Sequence, residues 1–293
     1  MAQAVAIPQP SSRAPRQEDI AKAARLKALV VPREHGAWGL LLIPLLVGGA
    51  VGLRLDGRVQ PVLLLLGAAL ALFWLRAPVE SLLGAGPMRV SSDEERRYAL
   101  RVIAAATAVA LLFLGSLFRC SNVPALLTLG AAAALAFVAQ AFLKRLGRST
   151  RMASQIVGAL GLTVTAPAAY FVSTAHLDAR ALGLWLASFL FSAHQIYFVH
   201  LRIHGAKLVG LQKKIRQGWG FAITQALFLV ALGLAVRREL LPVLSLLAFA
   251  PAICRGTAWF FRAPQALNVK KIGWNEVLQS LAFGLLLSGV YWI

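Results

Sequence analysis

This sequence predicts an all-α, polytopic membrane helical bundle of about nine transmembrane helices, with its N-terminus inside and its C-terminus outside. Three observations carry that expectation. The chain of 293 residues is 59% hydrophobic and only 14% charged, whereas soluble domains carry roughly 25% charged residues. Its apolar residues fall into nine runs close to the ~20 residues that a bilayer crossing requires. Its basic residues gather in every second connection, as they do where loops face the cytoplasm.

The elements follow in order. Residues 1–17 contain Pro8, Pro10, Ser11, Ser12 and Pro15 and read as a disordered tail. From Glu18 to Val30, Ile20, Ala23, Ala24, Leu26 and Val30 alternate with Lys22, Arg25 and Lys27. That pattern suits either an amphipathic helix on the inner membrane surface or a frayed basic linker. Residues 1–30 are therefore set apart as a cytoplasmic tail, and 31–293 form the membrane domain. No early apolar core precedes residue 30, so no cleavable signal peptide is expected and the first span acts as its own insertion signal. The spans run near 36–53, 61–76, 98–118, 123–142, 153–173, 180–200, 219–236, 240–256 and 275–292. Pro242 and Pro251 predict a kink or a break in the eighth. Ser91 and Ser92 precede Asp93, Glu94 and Glu95, a pattern that caps the start of the third span.

The connections test the topology. With the N-terminus inside, 24 of the 30 lysines and arginines fall in inner segments and six in outer ones, and every inner segment exceeds every outer one. A missed span would spoil that ladder. The net charge of +19 follows from it. The clusters are short and belong to loops, so nucleic acid is not an expected partner. Cys120 and Cys254 lie far apart without a CxxC pair, so neither a disulfide nor a metal site is expected. Trp74, Trp219, Trp259, Trp274 and Trp292 fall near span ends and suit an interfacial aromatic belt.

Ionisable groups inside spans are costly and mark function more often than surface charges do. The candidates here are Arg33, Glu34 and His35 at the entrance to span one, Arg76 at the end of span two, Arg202 after span six, and Glu276 opening span nine. Arg255 and Arg262 flank the end of span eight. All belong to the inner half. Each has a plainer explanation. Glu34 and Glu276 suit a helix N-terminus, and Arg76, Arg202 and Arg262 suit snorkelling at the interface. His200 and His204 are spaced i, i+4, but basic neighbours and the lack of a third ligand argue against a metal. The functional reading of the arginines is an anion site, because a guanidinium binds phosphate or carboxylate bidentately.

The stretch Pro32-Arg33-Glu34-His35-Gly36-Ala37-Trp38 resembles the entry motif of the YwiC-like family of bacterial membrane proteins. Arg76-x-Pro78, the basic turn around Arg202 and Gly273-Trp274-Asn275-Glu276 support the likeness over about residues 31–293. That resemblance implies a multi-pass protein of the bacterial cytoplasmic (inner) membrane and no particular activity. More distantly the chain is similar to UbiA-type prenyltransferases, which implies nine helices, a cytoplasmic-side cavity, and Asp-rich motifs holding Mg²⁺ and a prenyl diphosphate. Here the corresponding places read Arg76-Ala77-Pro78-Val79-Glu80 and His200-Leu201-Arg202-Ile203-His204. The aspartates are missing, so no cofactor is expected, with Mg²⁺ kept open as the alternative the resemblance implies, and arginines stand where a Mg²⁺-bridged anion would need carboxylates.

Three functional expectations result. One is a bundle that binds an isoprenoid or other anionic lipid among the membrane lipids around it, either as a divergent transferase or as a non-catalytic binder. Arg33, Arg76 and Arg202 would hold the anion, with Glu34, His35 and Glu276 orienting a second polar group. The second is a small transporter or channel. The third is a non-catalytic membrane subunit docking a partner through basic inner-loop residues such as Lys213, Lys214 and Arg216.

Overall fold

The computed structural model describes residues 17–31, 35–55, 57–84, 88–147, 149–263 and 268–293. Among them the regular elements are all helical. They are α1 Gln17–Val30, α2 His35–Arg54, α3 Val59–Leu82, α4 Asp93–Cys120, α5 Val123–Arg145, α6 Arg151–Leu162, α7 Thr165–Thr174, α8 Ala179–His204, α9 Leu211–Arg237, α10 Leu246–Phe261 and α11 Val269–Val290, with a 3₁₀ turn at Val243–Ser245. Eight spans are long and apolar enough to cross a membrane, α6 and α7 counting together as one. α11 covers the ninth expected span but is not among the helices apolar enough to cross a membrane by that measure. Its apolar half is preceded by Lys270, Lys271, Asn275, Glu276 and Gln279, which dilute the run.

Contacts between helix ends define the two ends of the bundle. At one end Arg145 at the close of α5 bonds the Leu83 carbonyl after α3 (3.4 Å), and Lys214 of α9 bonds the Trp259 carbonyl of α10 (3.1 Å). At the other end Arg58 before α3 bonds the Cys120 carbonyl of α4 (3.1 Å), and Tyr170 of α7 bonds Asp178, the N-cap of α8 (3.0 Å). The first is called the basic end below.

Three local findings differ from the sequence reading or extend it. The tail helix α1 is docked: Leu29 and Val30 are buried, and the Leu29 carbonyl accepts from Ser81 of α3 (2.9 Å). Arg25 pairs with Glu95, and Lys22 with Glu94 (2.7 Å). Ser92 caps α4 through the Glu95 amide (3.2 Å), while the Glu95 carboxylate accepts from the Ser91 amide (2.8 Å). This is close to a reciprocal capping box. The break falls in the fifth span, between α6 and α7, and not within α10. Pro242 ends in the short 3₁₀ turn, and α10 runs on through Pro251. At the fifth-span break the Thr165 hydroxyl bonds the Leu41 carbonyl of α2 (3.0 Å).

That broken span is the centre of the bundle: 72% of its most apolar stretch is buried, against 11% for α4. α2 lies against α7 by way of Gly48 and Gly52. A Cβ at Gly48 would sit 2.0 Å from the Ala166 carbonyl oxygen, and one at Gly52 would sit 2.7 Å from Ser173 Cβ. Small residues four apart let two helices approach closely where the surrounding lipid offers no hydrophobic driving force. Deeper, Phe191 of α8 stacks on Phe283 of α11 at 4.0 Å, with Phe249 and Phe228 alongside.

Candidate functional site

The first turns of α2 act as a wedge at the basic end. On one side Trp38 meets Phe73 (ring centroids 4.7 Å) and Trp74 (6.4 Å) of α3. On the other, Gly39 faces Ser280 of α11. A cavity lies on each side.

The polar cavity, about 510 Å³, opens among the last turns of α8 and α10 and the first of α11. Local sequence places its side chains. Arg202 falls in the last turn of α8, where the helix dipole favours a cation. Asn268 caps α11 by accepting from the Lys271 amide (2.9 Å), which sets Lys271, Asn275 and Glu276 on the cavity wall. Lys214, buried in α9, donates to the Trp259 and Arg262 carbonyls and lies 5.3 Å over the Trp259 ring. It thereby fixes the C-terminus of α10, from which Arg262 enters the cavity. Lys214 is therefore not part of an exposed docking patch with Lys213 and Arg216.

Glu276 meets Arg255 as a two-point pair, Nη1 to Oε1 at 2.7 Å and Nη2 to Oε2 at 3.1 Å. The Arg255 guanidinium also lies 4.2 Å over the Phe198 ring. Among the described residues, Arg202, Arg262 and Lys271 have no carboxylate within ion-pair distance. Four cations thus face one carboxylate. Such a wall attracts an anion and disfavours a divalent cation. Beneath it, Gln195 and Ser280 bond each other (3.1 Å), and both donate to the Glu276 carbonyl (3.4 and 2.9 Å). The buried Arg255 Nε, Gln279 Oε1, both ring nitrogens of His194 and Ser188 Oγ have no hydrogen-bond partner among the described residues. Gln225 is a polar side chain close to His194.

Arg76 lies elsewhere. It lines an apolar groove on the α3 side of the wedge, and its Nε bonds Glu80 Oε1 (2.9 Å), as does Lys144 Nζ (2.9 Å). The structure therefore brings Arg202 and Glu276 together and separates them from Arg76. Arg33 and Glu34 lie outside the described residues. His35 opens α2, and its side chain also lies outside them. Arg255 and Arg262 were legible as flanking charges, whereas Lys271 and the anchoring role of Lys214 gave no signal before the helix pairing was known. His204 Nδ1 contacts the His200 carbonyl (2.8 Å) within the same helix.

Fold and cavities define the class: a multi-pass helical membrane protein with a basic, cavity-bearing end, its outer helices in contact with membrane lipid. Residues 31–170 match the family model described as YwiC-like protein, which bears out the resemblance over that stretch. No curated protein and no solved structure matches the chain. The matched stretch covers the wedge and the apolar groove, whereas the polar cavity lies in the segment that follows.

Proposed function

We propose that the protein binds an anionic, lipid-like ligand, of the isoprenoid class or similar, at the cytoplasmic face of the bacterial inner membrane, with the anion seated in the polar cavity. The observation that carries this reading is the convergence of Arg202, Arg255, Arg262 and Lys271 on a cavity where Glu276 is the single carboxylate among the described residues. Glu276 acts as a built-in counter-ion that keeps Arg255 oriented. Binding proceeds without Mg²⁺, since the one carboxylate is already engaged by a guanidinium. A divergent UbiA-like transferase would use the same cavity. The proposal does not require a reaction.

Thermal stabilisation of the purified protein by pyrophosphate, prenyl diphosphates and anionic lipids, with and without Mg²⁺, tests it. A ligand at 100 times its Kd stabilises by about 2.7 kcal/mol. The expected result is a Mg²⁺-independent shift that disappears in Arg202→Ala and Arg262→Ala. No shift with any of these ligands refutes the proposal. A second reading, a small transporter, is favoured by the mid-span break at Thr163–Val164 and by the unpartnered polar atoms below the cavity. It predicts ligand flux in proteoliposomes, and a sealed, inactive vesicle preparation counts against it.

A further inference from the structure

Where α2, α8 and α11 meet, a small cavity of about 10 Å³ lies among Gly39, Leu40, Pro44, Ser188, Ser192 and Ser280. Ser188, Ser192 and Gln195 are spaced i, i+4, i+7 on α8 and so share one face. They carry the polar line beneath the basic cavity, from Glu276 through Gln195 and Ser280, to the middle of α8. Phe191 and Phe283, stacked at 4.0 Å, also line the cavity and close the apolar core against it.

Ser188 is 1% exposed, and its hydroxyl has no hydrogen-bond partner among the described residues. A buried hydroxyl left unpaired is costly. The neighbouring Ser192 shows the usual solution, donating to the Ser188 carbonyl one turn back (2.7 Å). Ser188 makes no such bond. Pro44 brings a second unpaired group: it has no N–H, so the Leu40 carbonyl lacks its helical donor. Among the described residues, the side-chain hydrogen bond to α2 comes from Thr165 of α7, and none joins α2 to α8 or α11.

Size and chemistry choose the occupant. The volume suits one water molecule and is too small for a lipid chain. Ser188 can donate to that water, and Ser192 Oγ, Ser280 Oγ and the Leu40 carbonyl can accept from it. Ser192 and Ser280 already spend their own hydrogens on the Ser188 carbonyl and on Gln195 or Glu276, which leaves lone pairs for the water. A Na⁺ ion would find neutral oxygens only, beneath a cavity lined by four cations.

We propose that the α2–α8–α11 junction is a binding site for a single water molecule, bridging Ser188 to Ser280 and the Leu40 carbonyl. The bridge ties the wedge helix to the floor of the basic cavity. It stands whether or not that cavity takes an anion.

A cryo-EM map of the full-length protein that resolves other buried waters tests the site directly. The expected result is a density peak within about 3 Å of Ser188 Oγ and Ser280 Oγ. No peak there overturns the inference. Thermal unfolding gives an independent reading. Ser188 and Ser280 share no direct hydrogen bond, so without a bridge the effects of replacing them add. With the water in place, Ser188→Ala lowers Tm by about 2–4 °C, and Ser188→Ala combined with Ser280→Ala lowers it by less than the sum of the two. An unchanged or raised Tm in Ser188→Ala shows that its hydroxyl had no partner to lose, and strictly additive shifts show that the two serines share none. Either result overturns the bridge. The series is repeated with choline chloride in place of NaCl. Equal Tm values are expected, and a Tm that rises with Na⁺ overturns water as the occupant.

Discussion

Replacing Glu276 with glutamine will lower stability and raise anion affinity in the same protein. The carboxylate is held at two points by Arg255, at 2.7 and 3.1 Å, with the side chains 13% (Arg255) and 17% (Glu276) exposed. Removing one partner of a buried ion pair costs ~3–5 kcal/mol, because the other charge is left uncompensated. Here the amide retains one hydrogen bond and the cavity admits water, so the cost falls to about 2–3 kcal/mol. On the scale of soluble proteins of 150–250 residues, that lowers Tm by roughly 5–10 °C. The same change removes the one negative charge that the described residues give the cavity. An anion then meets four cations without a competing carboxylate, and pyrophosphate affinity rises about tenfold, equivalent to about 1.4 kcal/mol.

Thermal unfolding of the purified protein with and without pyrophosphate reads both effects at once. Arg255→Met combined with Glu276→Gln closes the cycle: the double variant will unfold at a higher temperature than Glu276→Gln alone, since no charge is left stranded. An unchanged Tm together with weaker pyrophosphate binding refutes the counter-ion argument and makes Glu276 a ligand-binding group in its own right.

Other contacts make separate predictions. Gly48→Val drives a side chain into the Ala166 carbonyl across the α2–α7 contact. It will destabilise by at least ~1–3 kcal/mol, seen as a lower Tm and poor recovery of folded protein, and an unchanged Tm refutes the close approach. Lys214→Met removes the donor to the Trp259 and Arg262 carbonyls. It will cost about 2 kcal/mol and weaken pyrophosphate binding by displacing Arg262, whereas intact binding shows that Arg262 is held otherwise. Arg25→Ala frees α1 from Glu95 and Ser91, and limited trypsin digestion will then cut within α1 faster than in wild type.

The span positions were legible because hydrocarbon imposes the same demand on every crossing, an unbroken apolar run with its backbone satisfied internally. Helix ends were less so: α9 starts at Leu211, eight residues before its apolar run at 219, because Gln212, Lys213, Lys214 and Arg216 continue the helix beyond the hydrocarbon, where hydropathy carries no signal. The break after Leu162 is marked in the sequence by Pro167, which lacks the N–H that would continue the helix and falls in the first turn of α7, a signal the span reading passed over. What stabilises it is a tertiary bond, Thr165 to Leu41, between residues 124 apart in sequence. At Pro251 the helix is not interrupted, and α10 runs from Leu246 to Phe261 through it. For the site, the sequence identified the correct end of the bundle, since cations accumulate there, but not which cations become neighbours. Arg76 and Arg202 look alike in one dimension. They are separated by α2, whose glycine pair Gly48 and Gly52 brings it against α7 and whose Trp38 keys it to α3. The entry motif Pro32–Trp38 thus leads into the helix that divides two cavities of different lining, one basic and the other apolar. A change within that first turn, such as Trp38→Ala, acts on the partition between them before it acts on either one.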